Sequence, residues 1–502
     1  MQQLAHDVTM WADEAPSGVA VVDATGAHAV KEIAAAAQGL AAQLSDGLTG
    51  APTVLVQADN SWRTLVAAVA IGLRGGLIAV ISSHATRSEY ELALEDLSPD
   101  AVLADPSTLD TWHAADAFPA SVPSLDGWRL AYVASGVANG VARWQGGAVI
   151  AMTSGSTGRP KCVVQSEAAL RYAGDSTVQA VGLEPGDPVG ALVPLSSVAA
   201  FCFGMYLPAS RRSPMVCLDR WKPDDAVALL RDNAVSWTML VPTMALQLSL
   251  VPGSEGALSS LKAMTVGGGP MNLSALKQAE EHLDTTFLRV FGMSECLGHT
   301  TPLPSDPPDV RLGCDGRPFP GTVVRVVDEA GVEVPAGETG HAQVRGPSMF
   351  TGYARNGEPQ LPELTADGFL ATGDLARVNA DGTLTILGRQ KQVIIRGGRN
   401  IDINEVEAAL AAIPGVAQVC VVPVPDDLMG ERVAALVVSV GAALTIDEVR
   451  EHLESSDFPK FKWPEYVFSV PDLPQNRVGK LNRVEAVSMA THWSSSHSTG
   501  RH

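Results

Sequence analysis

Short apolar runs of strand length alternate with amphipathic helical segments over the first three quarters of the chain. APTVLVQ (51–57) and LIAVIS (77–82) have the composition of buried strands. Between them, SWRTLVAAVAIGLRGG (61–76) predicts a helix with Ser61 as N-cap and glycine at its end. The same order of helix and strand recurs in residues 225–242. We therefore expect an α/β fold, with helices layered on largely parallel sheets.

Residues 312–357 have a different pattern, in which short alternating segments are separated by glycine turns, and this predicts a small β-rich region. After residue 388 the pattern changes again. DINEVEAALAAIPG (402–415) and TIDEVREHLESS (445–456) predict helices that begin with capping boxes. The box residues are Asp402 with Glu405, and Thr445 with Glu448. Residues 417–424 and 432–440 predict strands between these helices.

These changes of pattern predict the domain organisation. We expect a large N-terminal domain of layered α/β subdomains with the small β-rich region, followed by a small, mobile α+β C-terminal domain. The tail is rich in serine and histidine and is expected to be disordered. The predicted boundaries are 1–388, 389–490 and 491–502.

The composition excludes several classes of function. The formal net charge of −20 repels nucleic acid and anionic membrane surfaces, so we expect neither as a partner. The longest apolar run (65–81) is interrupted by Arg74 and the two glycines that follow it, which argues against a membrane span. The six cysteines show no zinc-ligand spacing and are expected to be buried thiols. With no signal-peptide pattern at the N-terminus, a cytoplasmic protein is predicted.

MTSGSTGRPK (152–161) has the chemistry of a phosphate-binding loop. Its glycines allow backbone N–H groups to approach an anion, its hydroxyl side chains can donate hydrogen bonds, and Lys161 carries a mobile positive charge. The spacing does not fit the G-x-x-x-x-G-K-[ST] P-loop. A surface turn is the alternative for this segment taken alone.

Five segments in order resemble the motifs of the adenylate-forming superfamily, which includes acyl- and aryl-CoA synthetases, carrier-protein adenylation domains and luciferases. They are TSGSTGRPK (153–161), VGGGP (266–270), FGMSE (291–295), residues 371–401, which contain TGD and GRQK, and PQNRVGKLNR (474–483). The chain is most similar in appearance to free-standing aryl and acyl acid ligases. Each motif alone also has a structural interpretation, such as a turn for Asp374 or an exposed charge for Lys480.

The resemblance implies a set of nucleotide-binding residues. The β- and γ-phosphates of ATP would be bound by Lys161 together with Thr153, Ser154, Gly155, Ser156, Thr157 and Gly158. The remaining nucleotide-binding residues would be Gly267, Gly268, Gly269, Phe291, Gly292, Met293 and Ser294, with Asp374 and Arg389 at the ribose. Glu295 would hold Mg²⁺, a cation that prefers oxygen ligands.

The resemblance also implies the catalytic and mobile parts. Lys161, Glu295 and Lys480 would be the catalytic residues, with Lys480 bridging the carboxylate and the α-phosphate. Lys391 would be the hinge about which the small domain rotates. Gly397 and Gly398 would then border a tunnel for the thiol of a pantetheine arm.

The acid pocket would include Ser197, Val198, Phe201 and Gly298. Ser197 stands where many acyl-CoA ligases of this superfamily have histidine. Val198 stands where enzymes for α-amino acids place Asp and enzymes for 2-hydroxybenzoates place Asn. Because valine can pair with neither an ammonium nor a hydroxyl group, we expect an acid with an uncharged aryl or short alkyl body. The alternative is that Phe201 and Phe203 are core residues.

The implied reaction is ATP-dependent activation of a small carboxylic acid as an acyl-adenylate, followed by transfer to the thiol of CoA. Because Ser197 replaces the usual histidine, other acceptors of the acyl group stay open. They are a carrier protein, an amine, nitrite or oxygen. A nucleotide-binding homologue that has lost turnover is a further alternative.

Overall fold

In the computed structural model, the described residues of the 502-residue chain are 1–134, 136–138, 140–153, 160–269, 271, 273–389, 393–396, 399–426, 429–456, 458–476 and 479–498. The chain divides into two compact units. The large unit comprises Met1–Gly268, Ala279–Val324 and Val344–Leu370. The small unit comprises Gly269–Gln278, Arg325–Gln343 and Ala371–His502.

The α-helices are Gln2–Glu14 (α1), Val30–Gly47 (α2), Trp62–Leu73 (α3), Arg87–Leu97 (α4), Pro106–Trp112 (α5), Glu167–Val181 (α6), Val198–Ala200 (α7), Leu207–Ser210 (α8), Pro223–Asp232 (α9), Pro242–Ser249 (α10), Leu273–Leu283 (α11), Pro308–Gly313 (α12), Ile403–Ala411 (α13), Ile446–Ser455 (α14) and Arg483–Ser498 (α15). Short 3-10 helices cover Ala114–Asp116, Val141–Trp144 and Lys460–Lys462, and Phe201–Tyr206 is π-helical.

The strands are Val19–Asp23 (β1), Gly26–Ala29 (β2), Leu48–Thr49 (β3), Thr53–Ala58 (β4), Leu77–Ser82 (β5), Ala101–Ala104 (β6), Ala120–Pro123 (β7), Arg129–Tyr132 (β8), Gly136–Val137 (β9), Gly147–Thr153 (β10), Lys161–Ser166 (β11), Val189–Ala191 (β12), Met215–Cys217 (β13), Trp237–Leu240 (β14), Ala263–Gly267 (β15), Phe287–Met293 (β16), Cys296–Thr301 (β17), Arg317–Pro318 (β18), Val323–Val327 (β19), Thr339–Arg345 (β20), Gly352–Arg355 (β21), Glu358–Gln360 (β22), Leu370–Val378 (β23), Leu384–Arg389 (β24), Val393–Arg396 (β25), Arg399–Asp402 (β26), Val416–Asp426 (β27), Gly430–Ser439 (β28) and Tyr466–Ser469 (β29).

Two sheets with parallel centres form the large unit. The first has the order β18-β17-β16-β15-β14-β12-β13-β1-β2, and its strands from β16 to β1 are parallel. The second has the order β22-β21-β11-β10-β5-β4-β6-β8-β7, with a parallel centre from β10 to β6. The expectation of an α/β fold with largely parallel sheets is confirmed for these centres.

Helix α3 packs against β1 of the first sheet and against β4 and β5 of the second. Its residues from Thr64 to Gly72 are all buried. A helix that is apolar on every side needs partners on every side, and helices α1 and α2 supply them together with the two sheets. The predicted cap is confirmed, since the Ser61 side chain accepts a hydrogen bond from the Arg63 backbone N–H.

In the small unit, β25 to β28 form a sheet of order β26-β25-β28-β27, with β29 paired to β28. Together with α13 and α14 it confirms the predicted α+β character of this region. The four-stranded sheet β19-β20-β23-β24 contains part of the predicted β-rich region. The remaining strands of residues 312–357, β18 and β21, belong to the two sheets of the large unit.

Two sequence expectations in the small unit are wrong. Glu405 does not close a capping box with Asp402, because its carboxylate pairs with Lys462 instead, while Asp402 caps α13 through the Asn404 N–H. The Thr445–Glu448 box is present as predicted. Residues 491–498 are helical rather than disordered, because α15 continues to Ser498 and packs against β27 and β28. The predicted boundary between residues 388 and 389 stays a prediction.

A buried ion pair attaches α15 to the core of the small unit. Arg483 Nη1 lies 2.8 Å from Glu407 Oε1, and Nη2 lies 2.9 Å from Oε2. The Glu407 side chain is only 7% exposed and also accepts the Val421 backbone N–H at 2.8 Å. Removing the guanidinium would leave a buried carboxylate without its counter-charge.

We predict that Arg483→Met, which keeps the length of the side chain, destabilises the small unit by about 3–5 kcal/mol. Hydrogen exchange of the β27 amides would measure the loss as a lower free energy of opening. The matched control is Arg450→Met, which breaks an exposed 3.5 Å pair with Asp447 and should change stability by less than about 0.5 kcal/mol. Equal effects of the two variants would contradict the assignment.

Candidate functional site

The predicted phosphate loop connects two antiparallel strands of the second sheet. β10 ends at Thr153 and β11 begins at Lys161, and these two residues are paired in register. The Thr153 hydroxyl donates to the Lys161 carbonyl at 3.3 Å. Since β10 also runs parallel to β5, the loop follows the carboxyl end of a parallel strand, where α/β proteins bind ligands. Ser154, Gly155, Ser156, Thr157 and Gly158 lie outside the described residues.

The second predicted segment, FGMSE, forms the turn of a hairpin. Met293 at the end of β16 pairs with Cys296 at the start of β17, so Ser294 and Glu295 occupy the two-residue turn. The Ser294 carbonyl accepts from Gln165 Nε2 at 2.8 Å, and the Glu295 carbonyl accepts from the Phe350 N–H at 2.8 Å. The turn is therefore held by its backbone on both sides.

A tyrosine connects these two segments. β11 pairs with β21 so that Val163 lies opposite Tyr353. The Lys161 ammonium lies 5.0 Å from the centre of the Tyr353 ring, and the Tyr353 hydroxyl donates to Glu295 Oε1 at 2.8 Å. Burial, and then the charge of Glu295, raise the pKa of Tyr353, so its hydroxyl stays a donor. Two of the three predicted catalytic residues thus meet at one side chain.

The predicted nucleotide-binding glycines of residues 267–269 and the predicted residues 291–292 lie at or just after the ends of neighbouring strands of the first sheet. Gly267 ends β15 and pairs with Val290 of β16, just before Phe291 and Gly292. A β-carbon on Gly267 would lie 2.8 Å from the Val290 side chain, so this close approach favours glycine. Gly268 and Gly269 follow β15 and are exposed.

The predicted acid-pocket residues lie on two segments. Ser197 is the N-cap of α7, accepting a hydrogen bond from the Ala200 N–H, and Val198 and Phe201 are fully buried beside the π-helical turn. Gly298 on β17 has a φ of +49°, and a β-carbon there would lie 2.9 Å from Phe203 Cζ. The surroundings of these residues are therefore apolar, and π-helical turns are frequent at functional sites.

A buried asparagine fixes the segment that leads into this pocket. Asn60, two residues after the end of β4, donates through Nδ2 to the carbonyls of Ala191 and Val193 at 2.9 and 3.2 Å. Its Oδ1 accepts from the Leu195 N–H at 3.0 Å. These bonds connect the second sheet to the chain just before Ser197.

The predicted ribose residues face each other in the small unit. Asp374 on β23 pairs with Arg389 on β24, so the structure brings these two positions together. Asp374 is only 4% exposed, and its N–H donates to the Thr372 hydroxyl at 3.1 Å. Only the backbone of Arg389 is described.

Lys480 lies in a hairpin turn of the small unit. Its N–H donates to Asn476 Oδ1 at 2.9 Å and its carbonyl accepts from the Asn476 N–H at 2.7 Å, so the turn is closed from both sides. The Lys480 side chain is exposed. Lys391, Gly397 and Gly398 lie outside the described residues.

Sequence comparison places the chain in a family. The AMP-binding enzyme family matches residues 8–354, and the AMP-binding enzyme C-terminal domain matches residues 405–480. This chain belongs to the AMP-binding enzymes. It is therefore an AMP-forming ligase of the adenylate-forming superfamily, which binds ATP and activates an acid by adenylation.

Two curated relatives and one solved structure resemble this AMP-binding enzyme over most of its length. The chain is 30% identical to a salicylyl-CoA synthase / salicylate adenylyltransferase of Streptomyces sp, across 94% of this chain and 91% of that protein. It is 30% identical to a 2-hydroxy-7-methoxy-5-methyl-1-naphthoate–CoA ligase of Streptomyces carzinostaticus, across 94% and 90%. ATP-bound MatB from Rhodopseudomonas palustris has 27% identity, covers 97% of this chain and 99% of its own, and has a TM-score of 0.84.

The cysteine side chains of the enzyme belong to its buried interior. All six cysteines are buried thiols that form no disulfide, as the sequence predicted. Within the described residues, no three His, Cys, Asp or Glu side chains come together as a metal cluster. No described helix is long and apolar enough to cross a membrane.

Sequence reasoning missed three residues of this AMP-binding enzyme's site: Gln165, Tyr353 and His299. Gln165 and Tyr353 act on the FGMSE turn from distant strands, so no local motif marks them. His299 follows Gly298, is fully buried, and packs edge-on against Phe291 with ring centres 4.6 Å apart. Its Nδ1–H donates to the Cys296 carbonyl at 3.0 Å, which leaves Nε2 unprotonated. Burial lowers the pKa of His299 to about 4.

The His299 pKa predicts a pH dependence of stability. Between about pH 6.5 and 4 the unfolded chain binds a proton at this histidine and the folded enzyme does not, so folding loses about 1.4 kcal/mol for each pH unit of acidification. His299→Asn should lower the slope by this contribution, whatever its effect at pH 7. Urea unfolding at several pH values measures it, with exposed His84→Asn as the control. A slope unchanged in His299→Asn contradicts the assignment.

Proposed function

We propose that this enzyme converts an aryl or short acyl carboxylic acid into its CoA thioester through an acyl-adenylate. In the first half-reaction the carboxylate oxygen attacks the α-phosphorus of ATP and expels pyrophosphate. In the second, the thiol of CoA attacks the acyl carbon and AMP leaves with the bridging oxygen. The observation that carries the proposal is the meeting of Lys161 and Glu295 at Tyr353, beside the phosphate loop.

The residues fit magnesium-bound ATP. Among the described residues Glu295 Oε2 accepts no hydrogen bond, while Oε1 is occupied by Tyr353. Mg²⁺ is typically held by one or two carboxylates together with substrate phosphates, and a single partly exposed carboxylate suits that arrangement. When bound, the ion would neutralise phosphate charge. Lys161 would bind the β- and γ-phosphates, and Asp374 with Arg389 would bind the ribose.

The carboxylate nucleophile is already ionised at neutral pH, so the enzyme needs no general base for the first half-reaction. Both reactants are anionic, and positioning with charge neutralisation must supply most of the rate enhancement. We assign this task to Lys161, Glu295 and Lys480. Lys391 as hinge, Gly397 and Gly398 at the thiol, and a cytoplasmic location stay predictions from the sequence.

The names of the two curated relatives support an aryl acid and CoA. Both names specify 2-hydroxyaryl acids, whereas the buried Val198 offers no partner to a 2-hydroxyl group. We therefore propose an aryl acid without that hydroxyl. Carrier-protein, amine, nitrite and oxygen acceptors are alternatives for the second half-reaction.

The first experiment measures acid-dependent exchange of pyrophosphate into ATP with a panel of aryl and short acyl acids, and then adds CoA. We expect exchange with at least one acid and a CoA thioester of the mass of that acid, with AMP as co-product. Exchange without a CoA thioester would reject CoA in favour of another acceptor. No exchange with any acid would reject the activity.

We predict that Lys480→Ala lowers adenylate formation by about 100- to 1,000-fold, because a cation positioned at the developing charge is lost. Thioester formation from a supplied acyl-adenylate should be unchanged. Each half-reaction is followed separately by rapid quench. Lys460→Ala, which removes another exposed lysine of the small unit, is the control. Equal loss of both half-reactions in Lys480→Ala would reject the assignment.

We also predict that Val198→Asn raises the ratio of kcat/KM for salicylate over benzoate by about tenfold, because the amide can hydrogen-bond the 2-hydroxyl. The natural enzyme should favour benzoate. Val198→Leu, which stays apolar, should leave the ratio below one. A natural enzyme that prefers salicylate would show that another residue binds the hydroxyl group.

A further inference from the structure

We propose that Tyr353 is a positioning residue that separates Lys161 from Glu295 and directs one carboxylate oxygen of Glu295 toward the metal. The inference rests on the proposed function, since it assigns Glu295 to magnesium and Lys161 to phosphate. Tyr353 itself touches neither reacting atom. Its role is to keep two opposite charges available to the nucleotide.

The contacts of Tyr353 are of two kinds. Its hydroxyl donates to Glu295 Oε1 at 2.8 Å, so this oxygen is occupied. The face of its ring lies 5.0 Å from the Lys161 ammonium, a cation–π distance. A cation over a ring keeps its three N–H donors free for an oxygen anion, whereas an ion pair would occupy at least one of them.

Without this ring, Lys161 and Glu295 could form an ion pair with each other. Opposite charges on flexible side chains form a direct ion pair when nothing lies between them, and each then neutralises the other. Among the described residues, Lys161 forms no ion pair. The phenol therefore offers each charge a contact that leaves it able to bind Mg·ATP.

The position of Tyr353 is fixed by its surroundings. β21 is paired with β11, which places Tyr353 opposite Val163. The ring of Phe350 packs against Tyr353 at 66°, with centres 4.8 Å apart. The Phe350 N–H also donates to the Glu295 carbonyl at 2.8 Å, so the same short segment holds both the phenol and the turn that it contacts.

The test uses two variants. Tyr353→Phe removes the hydrogen bond to Glu295 and keeps the ring beneath Lys161. Tyr353→Leu removes both, and allows Lys161 and Glu295 to pair. Tyr172→Phe is the matched control, because the Tyr172 hydroxyl donates to the Pro320 carbonyl at 2.8 Å in the same unit.

Calorimetry measures the binding of ATP, without acid, in EDTA and in Mg²⁺. The natural enzyme should bind ATP more tightly with Mg²⁺. In Tyr353→Phe this gain should shrink by about tenfold, while binding in EDTA stays as in the natural enzyme. Tyr353→Leu should also weaken binding in EDTA, and adding Glu295→Gln should restore that part by freeing Lys161.

Acid-dependent pyrophosphate exchange provides the second readout. Tyr353→Phe should raise the Mg²⁺ concentration needed for half-maximal rate, and saturating Mg²⁺ should restore kcat. An unchanged Mg²⁺ dependence overturns the inference, as does an equal loss of ATP binding with and without Mg²⁺, which is the mark of a structural role. Failure of the proposed function is distinct, because the natural enzyme would then bind ATP with Mg²⁺ and show no exchange with any acid.

Discussion

The antiparallel ladder of β10, β11 and β21 is the constraint on which the candidate site depends. It places Thr153 opposite Lys161 and Val163 opposite Tyr353, so the start and end of the phosphate loop and the phenol have fixed positions. From there a single hydrogen bond reaches Glu295 in the β16–β17 turn. Backbone pairing, rather than the motif residues themselves, therefore determines which charges meet.

In the large unit, the charged side chains of the candidate site and its apolar side chains lie on different segments. The charged side chains of Lys161 and Glu295 lie beside Tyr353, whereas Val198 and Phe201 are enclosed by the core, and Gly298 leaves room for the ring of Phe203. His299, which follows Gly298 and packs against Phe291, stays neutral because burial disfavours its charged form. Such a boundary suits a substrate with a charged carboxylate and an apolar body.

Contiguous motifs could be predicted from the sequence, and contacts between distant segments could not. The caps at Ser61 and Thr445 and the parallel strands follow from local patterns. Tyr353 and Gln165 reach the FGMSE turn across 58 and 129 residues of sequence, so no local signal marks them. Lys462 withdraws Glu405 from its predicted box across 57 residues. The helical tail did carry a signal, since the buried Ala486, Ala490 and Ser494 recur at helical spacing, which the polar composition obscured.

Transfer of a labelled oxygen tests the central claim most directly, because it reports which bond the acid forms. The acid is prepared with ¹⁸O in its carboxylate, the enzyme turns over once with ATP and a thiol, and AMP is analysed by mass. If the carboxylate attacks the α-phosphorus, AMP carries one ¹⁸O atom and pyrophosphate carries none. AMP without the label, or label in pyrophosphate or phosphate, would contradict the account.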